Sequence, residues 1–453
     1  MPILISAIMV NTRFLFKLTS PHQQSITRQS RIMPRHRTGL GAFILFLTAF
    51  SIYAQAGQRI FPENYEARLQ NMELMATFGK TRIPAETEIV EQMSTDFAVM
   101  RQTKTQNESV YLLFTNEEQG EFPLYSAGSY ILRRVEKSSV LSQVKIFIRS
   151  EPGSYLRIAA DGKRSLVDVY LFGFQLYQNI VLPISLEQVV LEPFSRIREL
   201  SHYQIDWSLL LPVEARAVDH TARKMVLAAR EVLDILRDSD DGAMDSDGSF
   251  RYIEDLTDNL QSGFNCSGFA KWIVDGLYMP RSGRLLSIDA LKEKHEELRG
   301  NQWSQRYEDL RDPFFGLDWS RNLARSIIAL DSPVEVSAEA ADVRKVSHFS
   351  YIEDVGYSVD DLRIILYTLA VQQPGFFYIG SVNRDFGSDP VLKQHVHVVV
   401  LIPYFELNGI FRVAVLERNL ETSISSLKRR YSGDHIHLVR IPVSDSFVLP
   451  SVE

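Results

Sequence analysis

Apolar and polar residues alternate with a period near two in two separate stretches of this chain, and with a period near 3.6 between them. The first alternating stretch runs from about residue 109 to 198. It predicts strands over residues 109–115, 129–134, 143–149, 166–172 and 180–183, punctuated by turn formers such as Glu151-Pro152-Gly153 and Asp161-Gly162. Short strands at even spacing point to a small barrel or sandwich. Upstream, residues 65–76 read as an amphipathic helix. Past Leu211-Pro212 the period changes. Residues 213–237, rich in Ala, Leu, Arg and Glu, predict a helix, and another opens at Cys266 and ends near Gly276. Residues 287–325 are helical or irregular and carry Trp303, Phe314, Phe315 and Trp319 as core candidates. A further helix over 360–372 stops at Pro374-Gly375, and strands over 376–382, 395–405, 411–419 and 437–443 follow.

This order predicts an α+β protein. Residues 57–212 form a β-rich accessory domain, a barrel or sandwich, and residues 213–453 a mixed domain whose helices pack on an antiparallel sheet. The first 56 residues differ. Arg35-His36-Arg37 leads into an apolar run over 41–53 and then Ala54-Gln55-Ala56, the layout of a signal peptide cleaved after Ala56. The run is short for a membrane span, so no span is expected in the mature chain. The 32 residues before Met33 are surplus to such a signal, which makes Met33 a candidate start. Export to the periplasm or cell envelope follows. At 453 residues, 45% hydrophobic and 11% aromatic, the chain has the composition of a globular protein. Its net charge of −7 gives no reason to expect a nucleic-acid partner.

Cys266 is the single cysteine. That excludes a disulfide scaffold and a Cys-rich zinc site, and no cofactor is called for. A lone thiol in an exported chain is either a small buried apolar residue or a nucleophile. Its context, Gly263-Phe264-Asn265-Cys266-Ser267-Gly268-Phe269, makes Asn265 an N-cap and sets Cys266 in the first helical turn, where free N–H groups and the helix dipole favour a thiolate. The acidic stretch 238–248 suggests calcium, but no register places a glycine and ligands at the required offsets, so a solvated turn-rich loop is favoured.

His395 and His397 open an apolar run and, two apart on a strand, are expected on one face. The turn Glu406-Leu407-Asn408-Gly409 returns the chain through residues 410–419. A loop centred on Leu407 sets His397 opposite Glu417 and His395 opposite Asn419, giving each ring a polar partner. That is the oriented base a Cys–His nucleophile requires. Either histidine taken alone reads better as a hydrogen-bonded rim residue, and it is the joint occurrence with the lone cysteine that favours a catalytic pair.

Gly263-Phe264-Asn265-Cys266-Ser267-Gly268-Phe269-Ala270 resembles the nucleophile motif of the NlpC-type cell-wall cysteine peptidases, with Asn in place of Asp before the cysteine. These are papain-like exported bacterial enzymes. The similarity extends over about residues 251–419: Pro374-Gly375 precedes a strand, His395-Val396 and His397-Val398 both match the histidine context, and Glu417 or Asn419 stands at the third position. Residues 279–359 would be a large insertion, and the Trp-Gly-Gly element before the cysteine is missing. The resemblance implies a papain-like C-terminal domain that hydrolyses amide bonds in peptidoglycan stem peptides. Cys266 would be the nucleophile, His397 the base, with His395 the other candidate, and Glu417 or Asn419 the orienting group. Tyr252, Asn265 and Ser267 would support them. Two other readings stand beside it: an inactive envelope-binding protein on the same fold, and a metal-dependent hydrolase using His395, His397 and Glu417.

Overall fold

Eight strands follow one another in chain order through the β-rich stretch, each antiparallel to the next. A computed structural model describes residues 61–78, 88–92, 98–138, 140–259, 262–295, 312–386 and 392–452. The strands are β1 Glu88–Gln92, β2 Ala98–Gln106, β3 Ser109–Asn116, β4 Tyr130–Val135, β5 Leu141–Phe147, β6 Tyr155–Asp161, β7 Arg164–Leu171 and β8 Phe174–Leu182. Alternation predicts five of these, and β1, β2 and β6 add to them. Asp161-Gly162 does make the β6–β7 turn, with Gly162 at φ +62°, a conformation that glycine adopts without strain. The pairings make a single sheet rather than the two facing sheets of a sandwich, and those among the described residues include none between β1 and β8. Alternate residues such as Leu112, Phe114, Leu132, Val144, Ile146 and Ile158 bury one face. The expected helix at 65–76 is two short ones, α1 Tyr65–Gln70 and α2 Met72–Thr77.

After α3 Leu186–Leu191 and α4 Phe194–Ser201 comes α5 Ala217–Arg230, shorter than its periodic pattern. Asp219 sets its start. One carboxylate oxygen accepts the Arg216 N–H at 2.8 Å, and the other accepts the Phe405 N–H at 3.1 Å, which ties the helix to the second sheet. A small ribbon, β9 Ala243–Met244 and β10 Phe250–Arg251, precedes α6 Cys266–Ser282. Helix α6 does not stop at Gly276. It continues to a left-handed cap at Gly283, φ +74°, because Gly276 is where the Phe447 ring rests against the helix. Next come α7 Ile288–Leu291, α8 Phe315–Ala329, β11 Tyr357–Ser358, α9 Leu362–Gln372, β12 Phe376–Phe386, β13 Leu392–Phe405, β14 Phe411–Glu417, β15 Leu420–Thr422, α10 Ile424–Arg430 and β16 His435–Pro442.

The second sheet is antiparallel throughout, in the order β11-β16-β12-β13-β14-β15. Its two faces pack differently. Ile379, Val398, Val400, Ile402 and Leu416 join a core with α5, α6 and α8. Tyr378, Val399, Leu401, Val415 and Leu438 face the other way and share a core with α9 and the first sheet. Val398 and Val400, not Val399 and Leu401, therefore meet Phe269, Trp272 and Ile273 of α6. Both sheets belong to one compact unit, residues 55–453. Trp319 and Phe314 are buried as expected, while Trp303 lies outside the described residues, as do the signal-like segment and residues 296–311 of the inserted stretch. Among the described residues, no helix is long and apolar enough to cross a membrane.

Gly268 is required by close approach. A Cβ there would lie 1.9 Å from the Gly242 carbonyl oxygen, so the first turn of α6 sits directly on the backbone of the acidic loop. Gly268→Ala should destabilise the fold by about 2 kcal/mol or more, read from urea unfolding, because backbone and not a flexible side chain must move.

Candidate active site

The loop before α6 is held by backbone hydrogen bonds. The Asn265 N–H donates to Gly242 O at 3.0 Å and the Phe264 N–H to Arg237 O at 2.9 Å. Asn265 is extended and its side-chain oxygen accepts the Gly268 N–H at 2.7 Å, the N-cap its sequence position predicts. Cys266 is thereby the first residue of the helix, with a half-buried, unbridged thiol. The N–H groups of Cys266 and Ser267 have no acceptor among the described residues, so two donors and the positive end of the helix lie beside the sulfur. The Ser267 carbonyl is occupied. It accepts the Trp319 indole N–H at 3.0 Å, which fastens α8 to the cysteine turn.

His397 reaches the thiol from the sheet. Opposite β12, Val382 pairs with His397 but Asn383 pairs with His395, so Val396 is an extra residue and β13 bulges there. The bulge breaks the alternation that put both imidazoles on one face. His397 falls on the face of its partner Val382, and His395 turns to the α8 face, where Gly316 sits against its Cβ and against Ser381. The ladder between β13 and β14 begins only at Val400–Leu416. At the open edge beyond it, Cys266 stands near enough to His397 and to the Val398 backbone N–H for both to act on its thiol. The other ring nitrogen of His397, Nε2, lies 2.6 Å from Glu417 Oε2. The imidazole thus bonds the carboxylate on one side and neighbours the thiol on the other.

The contact between His397 and Glu417 was expected, but its register differs. Pairing centres on Asn408 rather than Leu407, so the ladder would set Glu417 opposite Val399 and the histidine meets it on the diagonal. A long glutamate spans that diagonal. Thr422 and Arg430 donate to Glu417 Oε1, so the carboxylate is held from both sides.

The electrostatics agree with this geometry. Burial pushes the Cys266 thiol up, but the hydrogen bond and charge of His397, the Val398 N–H and the Arg418 charge bring it below the ordinary value. Burial alone would lower His397. Its bonds to Cys266 and Glu417 and their negative charge outweigh that and raise it to about 9. Glu417, despite desolvation, is held down at about 2 by His397, Arg430 and Thr422. The lowered thiol and raised imidazole both shift in the direction of a thiolate–imidazolium pair beside an ionised carboxylate.

Other expected residues lie elsewhere. His395 does not approach Cys266. Its Nδ1 is 2.8 Å from Ser381 Oγ, its Nε2 has no partner among the described residues, and burial with the charges of His437 and Arg321 lowers it to about 3. Asn419 does not face His395 either. The chain turns at Arg418, φ +53°, and Asn419 donates instead to Leu236 O at 3.3 Å. Tyr252 is placed by its backbone, its N–H on Thr257 O at 2.8 Å, and its hydroxyl has no hydrogen-bond partner among the described residues. Tyr431 takes the neighbouring place. Its ring stacks on His397 at 5.7 Å and 17°, and the Cys266 and Glu417 charges raise its already desolvated hydroxyl. Nothing in Leu427-Lys428-Arg429-Arg430-Tyr431 announces this, since it reads as the basic end of a surface helix. With the histidines on opposite faces, the proposed metal triad does not converge, and no group of three metal-ligating side chains occurs among the described residues.

Residues 57–209, which include the first sheet, match the family described as a domain of unknown function (DUF8515). No curated protein and no solved structure matches the chain. Cys266, His397 and Glu417 all fall outside the matched segment.

Two linked groups set a pH window. Raised His397 contributes stability that is complete below its unfolded value of 6.5 and lost as pH rises through about 9. Depressed Glu417 contributes stability that is complete above 4.5 and lost as pH falls toward about 2. The stability difference between the parent chain and Glu417→Gln should therefore be greatest, roughly 2–3 kcal/mol, between those unfolded values and shrink on either side. Denaturant unfolding at a series of pH values measures it.

Proposed function

We propose that this chain is an exported cysteine hydrolase of the papain-like type that cleaves amide bonds in peptidoglycan stem peptides. The observation that carries the reading is His397 bonded to Glu417 at 2.6 Å beside the Cys266 thiol at a helix start, with the thiol lowered and the imidazole raised. The cysteine helix lying against an antiparallel sheet that bears the histidine fits that fold, and the resemblance of residues 263–270 to the cell-wall peptidase motif supports the substrate class. Export rests on the signal-like segment alone.

In this reading the Cys266 thiolate attacks the carbonyl carbon, forming a C–S bond. The tetrahedral oxyanion is met by the N–H groups of Cys266 and Ser267 at the helix start. His397 passes its proton to the leaving nitrogen as the C–N bond breaks, then takes a proton from the water that hydrolyses the thioester. Glu417 stays ionised and holds the imidazolium in place, as the carboxylate of an acyl-transfer triad does.

Purified protein incubated with cell-wall sacculi should release peptide fragments detectable by mass analysis. Cys266→Ala should abolish release, and His397→Ala should lower turnover about 10³-fold or more, with Glu417→Ala the milder of the two. His395→Ala should leave thiol chemistry nearly intact. Because the ion pair is lost as His397 deprotonates, alkylation of Cys266 by iodoacetamide at pH 6–7 should be fast in the parent and at least about tenfold slower in His397→Ala. A thiol that labels only on unfolding would overturn the enzyme and leave an envelope-binding protein.

A further inference from the structure

A cleft of about 640 Å³ opens where loops of the first sheet meet the turn end of the β13–β14 hairpin. It is remote from the thiol. The Phe405–Phe411 rung closes the hairpin beside it, and eight residues of strand, about 25 Å at roughly 3.3 Å each, separate Phe405 from His397.

Arg149, Arg363 and Arg412 line this cleft together with Phe172, Ile410 and Phe411. Of the three acids on its wall, Glu117, Glu118 and Glu151, two are committed. Glu151 accepts from the Gly153 N–H and from Ser154, and Glu117 accepts the Ala98 N–H at 3.1 Å. The guanidinium groups are less so. Arg149 is held by Leu211 O and the Tyr367 hydroxyl, but its Nε is buried without a hydrogen-bond partner among the described residues. Arg363 lies 4.2 Å over the Phe172 ring, has no hydrogen-bonded acceptor among the described residues, and is lowered by burial, with the Glu151 charge opposing and the Arg412 charge adding to that. Arg412 uses only its Nε, on Glu406 at 3.1 Å. Spare guanidinium donors beside an aromatic and aliphatic wall suit one kind of guest: a carboxylate that accepts a forked pair of N–H bonds, carried on an apolar body. The volume is that of a small-molecule site.

We propose that this cleft binds an organic carboxylate with an apolar body, through Arg363 with Arg149 and Arg412, independently of Cys266. The site couples the first sheet to the C-terminal sheet, so a bound acid would bridge them.

Calorimetric titration of the full chain with N-acetyl-phenylalanine, N-acetyl-phenylalaninamide and inorganic phosphate tests it. The acid should bind and the amide, which lacks the carboxylate, should not. Arg363→Gln should weaken the acid at least tenfold with an unchanged circular dichroism spectrum, since that side chain is exposed and makes no hydrogen bond or ion pair among the described residues. Arg363→Lys should restore part of the affinity, and Arg412→Gln should weaken it independently. Equal binding of acid and amide, no binding of either up to about 10 mM, or an unaffected Arg363→Gln would overturn the proposal. Phosphate displacing the acid at equal concentration would also overturn it, leaving a general anion site with no use for the apolar wall.

Discussion

Val396 has no partner of its own on β12, and the slip of one residue there decides which imidazole is available to the thiol. Without the bulge, strand alternation would place His395 and His397 side by side. With it, His395 is driven under α8 and kept neutral, while His397 is released to the open edge where the β14 ladder has not yet begun. The site therefore depends on two local failures of regular pairing on adjacent edges of one strand. Both are places where a backbone N–H or a side chain is free to serve something other than the sheet.

What holds the partners in register is largely buried polar structure. Lys271 and Asp275, both fully enclosed within α6, pair at 2.6 Å, and Asp275 also accepts the Leu286 N–H at 2.7 Å. Arg321 of α8 meets Asp342 at 2.8 Å and Asp354 at 2.7 Å, and His437 of β16 stands 3.4 Å from Asp342. Such pairs add little net stability against apolar replacements, but breaking one side leaves an uncompensated charge in the interior. Their effect here is geometric: Asp275 ties α6 to the segment leading into α7, and Arg321 through Asp342 ties α8 to His437 of β16. The stretch 279–359 is accordingly part of the architecture. Helix α8 lies within it, and the Trp319 bond to Ser267 makes that helix a support of the cysteine turn itself.

The first sheet joins the same core. Arg149, just past β5, reaches the Tyr367 hydroxyl on α9, and Phe172 packs edge-on to the Tyr367 ring at 5.1 Å. The face of the second sheet that bears His397 is thus backed by α9 and the β-meander, while the face that receives α6 is backed by α5 and α8.

Sequence by itself determined many of the element types, because periodicity and turn residues are local: β3, β4, β5, β7 and β8 of the first sheet, β12, β13, β14 and β16 of the second, the helix opening at Cys266, and the Asn265 cap follow from neighbours within a few positions. It also offered Cys266, His397 and Glu417 as candidates, with His395 and Asn419 beside them, and the His397–Glu417 contact survives a register error of two residues because such a slip preserves the face. Tertiary structure decided what depends on pairing between distant segments. The Val396 bulge is a matter of how β12 meets β13, and it set His395 aside. The continuation of α6 past Gly276 awaited the Phe447 ring from the far end of the chain. Tyr431 and Arg430 became site residues because α10 folds back over Glu417, a placement that no local pattern encodes, since packing and not propensity puts a solvent-like basic helix end beside an imidazole.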